Sequence, residues 1–146
     1  MGRGSPTAGR FLAFPTLWLW RGVMIGCVTG SVLVVDDDPE FRRLAGRLLA
    51  ASGLTVVGEA GTVAAALAAA ARLEPSGILL DVELPDGDGV TLARELSALP
   101  WHPRIVLTSI DGEITNTAEA QRAGASAFIN KADLPGAPLA RLLGRS

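Results

Sequence analysis

Three acidic residues stand at the ends of two short apolar runs: Asp36 and Asp37 follow Ser31 to Val35, and Asp81 closes Gly77-Ile78-Leu79-Leu80. A short, continuous apolar run reads as a strand buried on both faces, and a carboxylate at its exit stands on the ligand-binding edge of a parallel sheet. Carboxylates ~4 Å apart repel by roughly 4 kcal/mol per pair at an effective dielectric of about 20, so such a group must hold a cation or shift a pKa. Oxygen donors with open positions suit Mg2+, which keeps several waters and completes its shell with phosphate oxygens. A carboxylate in that setting can also attack a phosphoryl group and form an acyl phosphate, and Asp81 is placed for that role. Pro85, Gly87 and Gly89 turn the chain just past Asp81, so that backbone can approach whatever binds there.

Two more residues belong to the same edge. Thr108, at the end of the run Arg104 to Thr108, offers a hydroxyl that could donate to a phosphoryl oxygen or simply satisfy a strand end. Lys131 follows the run Ser126 to Ile129 and is the one lysine among 13 cationic side chains, the other 12 being arginine. A compact ammonium can act as a point charge on a phosphoryl oxygen where a planar guanidinium does not fit. Acids at strand ends also serve as solvated turn residues or helix caps, the reading given to Asp38, Asp86 and Asp88. The single histidine, His102, lies in a loop between Trp101 and Pro103 and is assigned a surface or packing role.

The elements that must position these residues alternate along the chain. Asp38 caps and Pro39 opens a helix whose apolar face is expected to be Phe41, Leu44, Ala45, Leu48 and Leu49, with Arg42, Arg43 and Arg47 turned away and Gly53 ending it. Leu54 to Val57 is the expected second strand. Thr62 caps the Ala-rich helix Val63 to Leu73, and Ile78 to Asp81 is the third strand. Val90 to Leu99 is expected as helix, Arg104 to Thr108 as the fourth strand, Glu113 to Ala123 as helix, and Ser126 to Ile129 as the fifth strand. Pro135, Gly136 and Pro138 delay the last helix to about Ala137 and keep it short. Such a chain predicts an α/β fold, a doubly wound five-stranded parallel sheet of order 2-1-3-4-5, flavodoxin-like, whose switch point lies between strands one and three. Asp36, Asp37 and Asp81 then converge.

The 146 residues suit one domain with a single core. The net charge of -2 divides unevenly, with three arginines and no acid in residues 1 to 30 against 10 basic and 15 acidic side chains in the remainder. An acidic body argues against direct nucleic-acid binding. One cysteine, Cys27, excludes an internal disulfide and fits a reducing, cytoplasmic setting. Residues 1 to 30 carry a weak likeness to a secretory signal, but Pro15 and Arg21 interrupt it; the leader is read as disordered or as an upstream start, with Met24 or Val28 as the true beginning. Residues 31 to 146 are the expected domain.

Val34-Val35-Asp36-Asp37-Asp38-Pro39, Asp81 with Pro85 and Gly89, Thr108-Ser109, and Phe128-Ile129-Asn130-Lys131 together resemble the receiver domain of two-component response regulators, over about residues 31 to 143. The resemblance implies that Asp81 accepts a phosphoryl group from the phosphohistidine of a sensor histidine kinase or phosphotransfer protein. It implies Mg2+ held by Asp37, Asp81 and the backbone carbonyl of Glu83, with Asp36 acting largely through water. Thr108 and Phe128 match the family's switch pair, and Lys131 its phosphoryl contact. The domain would not be an enzyme beyond its own phosphoryl transfer and autodephosphorylation.

Three departures from the family pattern stand out. Ala132 occupies a position that is often proline, the last helix is short and carries prolines, and no output domain follows before Ser146. The chain is therefore read as a stand-alone receiver that switches a protein-binding face towards a downstream protein, with a phosphorylation-dependent homodimer as one form of that output. The alternatives are a phosphorylation-independent interaction module of the same fold, or a receiver fragment of a longer DNA-binding regulator. A haloacid-dehalogenase-like phosphatase would need Asp-x-Asp, and Asp81-Val82-Glu83 does not supply it.

Overall fold

A computed structural model describes residues 30–110 and 117–144 of the chain. The expected leader, except Gly30, and the first residues of the helix expected over Glu113 to Ala123 lie outside the described residues. In chain order the elements are β1 (Ser31–Val35), α1 (Pro39–Ala51), β2 (Thr55–Ala60), α2 (Val63–Leu73) and β3 (Gly77–Asp81). Then come β4 (Glu83–Leu84), β5 (Gly87–Asp88), α3 (Gly89–Ser97), β6 (Arg104–Ser109), α4 (Thr117–Arg122) and β7 (Ala127–Asn130). A 3-10 helix over Lys131–Gly136 leads into α5 (Leu139–Leu143).

The main sheet has the order β2-β1-β3-β6-β7, with every neighbouring pair parallel. This is the expected 2-1-3-4-5 arrangement, with the antiparallel β4-β5 ribbon inserted after β3. Alternation along the strands divides the core in two. Leu33, Val35, Ile78, Leu80, Ile105 and Leu107 pack with α2, α3 and α4, while Val32, Val34, Leu79 and Val106 pack with α1, the 3-10 helix and α5. All five residues of β3 are buried, as its unbroken apolar run requires, and that burial fixes Asp81 at the sheet edge.

Two local expectations need correction. The second strand runs from Thr55 to Ala60 rather than Leu54 to Val57, because β1 supplies partners as far as the pair Val35 and Ala60. The register slips between Val32 and Leu33, opposite Val56 and Gly58, and a Cβ added at Gly58 would meet Leu73 Cδ1 at 2.6 Å, so a larger residue there would require that leucine to shift. In α1 the buried residues are Phe41, Ala45 and Leu49, with Leu48 partly buried and Leu44 exposed. The buried stripe is thus centred on Ala45. At about 100° per residue, Arg42 borders that stripe on one side and Leu44 lies outside it on the other.

Capping explains where the helices begin. Asp38 accepts the Glu40 N–H, Thr62 the Ala65 N–H and Asp88 the Val90 N–H. The helix after β6 is described only over Thr117–Arg122, and α5 begins at Leu139, behind Pro138. His102 is exposed at the surface and adopts φ 48°, its Nδ1–H donating to the Ser97 carbonyl at 3.2 Å. Among the described residues no helix is long and apolar enough to cross a membrane.

Candidate functional site

The switch point between β1 and β3 brings the three carboxylates together. One oxygen from each of Asp36, Asp37 and Asp81 lies within 4.8 Å of the others. Asp36 is fully buried, and its environment fixes it from four directions. Its N–H donates to the Ala60 carbonyl at 2.9 Å, its own carbonyl accepts from Arg42 Nη1 at 2.6 Å, and its Oδ1 accepts the Asp38 N–H at 2.9 Å. Its Oδ2 lies 2.6 Å from Lys131 Nζ as an ion pair, yet makes no hydrogen bond of acceptable geometry. Asp37 is exposed at the mouth of the site.

Asp81 is 6% exposed, with Oδ1 accepting the Glu83 N–H at 3.3 Å and Oδ2 at 3.6 Å from Lys131 Nζ. Burial, and then the neighbouring Asp36 carboxylate, push its pKa up from 3.8 to about 6; the Lys131 ammonium and the Glu83 N–H oppose the rise. The two carboxylates therefore compete for one ammonium, and Asp36 holds it more closely. Three carboxylates gathered this closely around a single ammonium, with the pKa of one of them raised, form a donor set that a hard divalent cation fits.

Lys131 reaches the site from the end of β7, its side chain 12% exposed and its Nζ 4.3 Å from the centroid of the Phe41 ring. Thr108 is directly opposite Asp81 in the β3–β6 register and is buried. Its hydroxyl donates to the Leu80 carbonyl over a long 3.4 Å, so the strand-end role is the one occupied here. Phe128 is partly buried against the α2, α3 and α4 side of the core, paired with Leu107 one register step before the Thr108–Ile129 pair. Glu83 opens the ribbon that follows Asp81, with its carbonyl two residues beyond the acid. Just past the ribbon, Gly89 begins α3, where a Cβ would fall on the Asp81 carbonyl oxygen and within 2.8 Å of Val82 Cα.

Sequence reasoning placed Asp36, Asp37, Asp81, Thr108 and Lys131 at one edge but missed two residues that support them. Arg42, expected to turn away, donates from Nη1 to the Asp36 carbonyl and from Nε to Glu59 Oε1 at 2.8 Å. Its place beside the buried stripe of α1 was the available signal. Phe41 was expected as core alone, and nothing in its periodicity points to the ammonium resting on its ring.

The model of the response regulator receiver domain matches residues 32–136. The chain belongs to that family. Over 113 residues it is 43% identical to the DNA-binding transcriptional activator DevR/DosR of Mycobacterium tuberculosis, a match covering 76% of this chain and 51% of that protein. It is 31% identical to the chemotaxis protein CheY of Bacillus subtilis over 68% of this chain and 83% of CheY. The BeF3-activated N-terminal receiver domain of Klebsiella pneumoniae RstA superposes with a TM-score of 0.65 at 36% identity, covering 77% of this chain and 94% of that one. The chain spans about half of the DosR relative and 32% of a protein-glutamate methylesterase from Anaeromyxobacter dehalogenans. The shared part is thus the receiver of a two-component system, which other proteins join to DNA-binding or enzymatic parts.

Proposed function

We propose that Asp81 accepts a phosphoryl group from a phosphohistidine of a sensor histidine kinase or phosphotransfer protein, and that the domain is a signalling element rather than an enzyme. The observation that carries this reading is the pairing of Asp36 and Asp81 around one lysine at the sheet's switch point. An Asp81 oxygen forms the new O–P bond while the N–P bond of the phosphohistidine breaks; the bonding pair returns to the imidazole nitrogen, which takes a proton from solvent. Asp36, Asp37, Asp81 and the Glu83 carbonyl would hold Mg2+. When bound, the cation neutralises charge on the transferring group and on the carboxylates.

The chain's own residues do the rest. Lys131, whose ammonium lies between Asp36 and Asp81, supplies it to an oxygen of the phosphoryl group carried by Asp81. Thr108 exchanges the long bond to Leu80 for a charge-assisted bond to another phosphoryl oxygen. That exchange draws the end of β6 inward, and Phe128 on the neighbouring strand moves into the space beside it, altering the face around α4 and β7. The output is a changed protein-binding surface for a downstream protein or a second copy of the chain, in the cytoplasm, without direct DNA contact. The test is incubation with acetyl phosphate or phosphoramidate and Mg2+ followed by intact mass. One phosphoryl group should be added, and none with chelator present.

A second reading has its own support. The 43% identity to DosR covers 51% of that activator, so the domain also suits the receiver part of a longer DNA-binding regulator. Expression of the locus and the mass of the native protein separate the two.

A further inference from the structure

The ribbon after Asp81 cannot hold itself in place. It pairs only Glu83 with Asp88 and Leu84 with Gly87, and an antiparallel pair this short is not independently stable in water. Its base is tied by the Gly89 N–H to the Val82 carbonyl at 2.7 Å, by the Glu83 N–H to Asp81 Oδ1, and by Asp88 on the first turn of α3. Its tip is tied by Asp86. One oxygen of Asp86 accepts the Val63 N–H at 2.7 Å and the other the Ala64 N–H at 3.1 Å. The tip also touches α2, since a Cβ on Gly87 would come within 3.0 Å of Val63 Cγ2.

The N-terminus of α2 is therefore satisfied by two different residues. Thr62 takes the Ala65 N–H at 3.0 Å, and Asp86, 23 positions beyond Val63, takes the two before it. A local cap would have served α2 alone. An acid on the ribbon satisfies the same donors and also fixes the segment carrying the Glu83 carbonyl. We propose that Asp86 is a positioning residue of the cation site, pinning the Glu83–Asp88 ribbon to α2 so that the Glu83 carbonyl is held ready. This rests on the metal reading above. Because the tie runs both ways, a ligand that fixes the ribbon also protects the first turn of α2.

The experiment compares wild type, Asp86→Ala, Asp86→Asn and Thr62→Ala by calorimetric Mg2+ titration and by amide hydrogen exchange in chelator. Asp86→Ala should weaken Mg2+ binding roughly tenfold, as loss of an outer support does at other metal sites. It should also speed exchange at Glu83 and Gly89 in the metal-free protein. Asp86→Asn, which keeps one accepting oxygen, should fall between. Thr62→Ala removes a cap from the same helix and should lower the melting temperature while leaving Mg2+ affinity and ribbon exchange at the wild-type level. Wild-type Mg2+ affinity and ribbon exchange in Asp86→Ala would overturn the proposal while leaving the metal reading intact. An equal loss of affinity in Thr62→Ala would also overturn it, by making the effect one of helix stability. If wild type takes up no Mg2+, the proposed function fails and the assignment of Asp86 to a cation fails with it.

Discussion

Asp81→Asn should make the metal-free protein more stable, and the size of the gain follows from the site. The Asp81 carboxyl holds its proton more tightly in the fold than in the unfolded chain, with a pKa of about 6 against 3.8. Below pH ~4 both states are protonated, and the group contributes nothing either way. As pH rises through that interval the unfolded chain loses its proton first, so wild type steadily loses stability until the folded group has also ionised, near pH ~7. Two pKa units correspond to a ceiling of about 3 kcal/mol. Lys131 sits closer to Asp36 than to Asp81, so the amide keeps the ammonium's main partner, and we expect about 2 kcal/mol of the ceiling.

For a domain of this size that is a rise in Tm on the order of 5–10 °C at pH ~8. The assay is thermal melting by circular dichroism across pH ~4 to ~8, in chelator and in saturating Mg2+. The gap between variant and wild type should open with rising pH, and Mg2+ should narrow it by stabilising wild type more than the variant. A variant less stable than wild type at high pH in chelator, or a gap equal at both ends of the range, would refute the electrostatic reasoning.

Three further outcomes follow from the contacts. Thr108→Ala loses only a long bond to Leu80, so it should cost about 1 kcal/mol or less and still accept phosphoryl, but lose the phosphorylation-dependent amide shifts at Phe128 and α4. Lys131→Ala leaves the buried Asp36 Oδ2 without its ion-pair partner; denaturant melts in chelator should show a loss of about 3 kcal/mol, partly restored by Mg2+. Gly89→Ala places a methyl against the Asp81 carbonyl and should destabilise the fold by roughly 2 kcal/mol or more in the same melts, while slowing phosphorylation.

Much of this site was readable in the chain because strand ends and topology do most of the positioning. The unbroken runs before Asp36 and Asp81 dictate buried parallel strands, and once β1 and β3 are neighbours the acids must meet. Pro39, Thr62 and Asp88 likewise mark helix starts through local chemistry that needs no tertiary knowledge. What stayed hidden depends on partners distant in sequence. Nothing near Gly58 announces that β1 extends β2 to Ala60, and nothing near Asp86 announces that its donors belong to α2 rather than to the following helix. The ion pair between Lys131 and Asp36 was hidden for another reason. Spacing locates an ammonium at an edge but does not rank two carboxylates only an ångström apart in distance from it.

The central claim is that Asp81 itself carries the phosphoryl group, and its most direct test is chemical. After incubation with a phosphoryl donor and Mg2+, borohydride reduction converts an acyl phosphate on aspartate to homoserine, which peptide mass mapping assigns to a residue. The account predicts homoserine at Asp81 and at no other acid of the cluster. Homoserine at Asp36 or Asp37 instead, or equal labelling of Asp81→Asn, would contradict it.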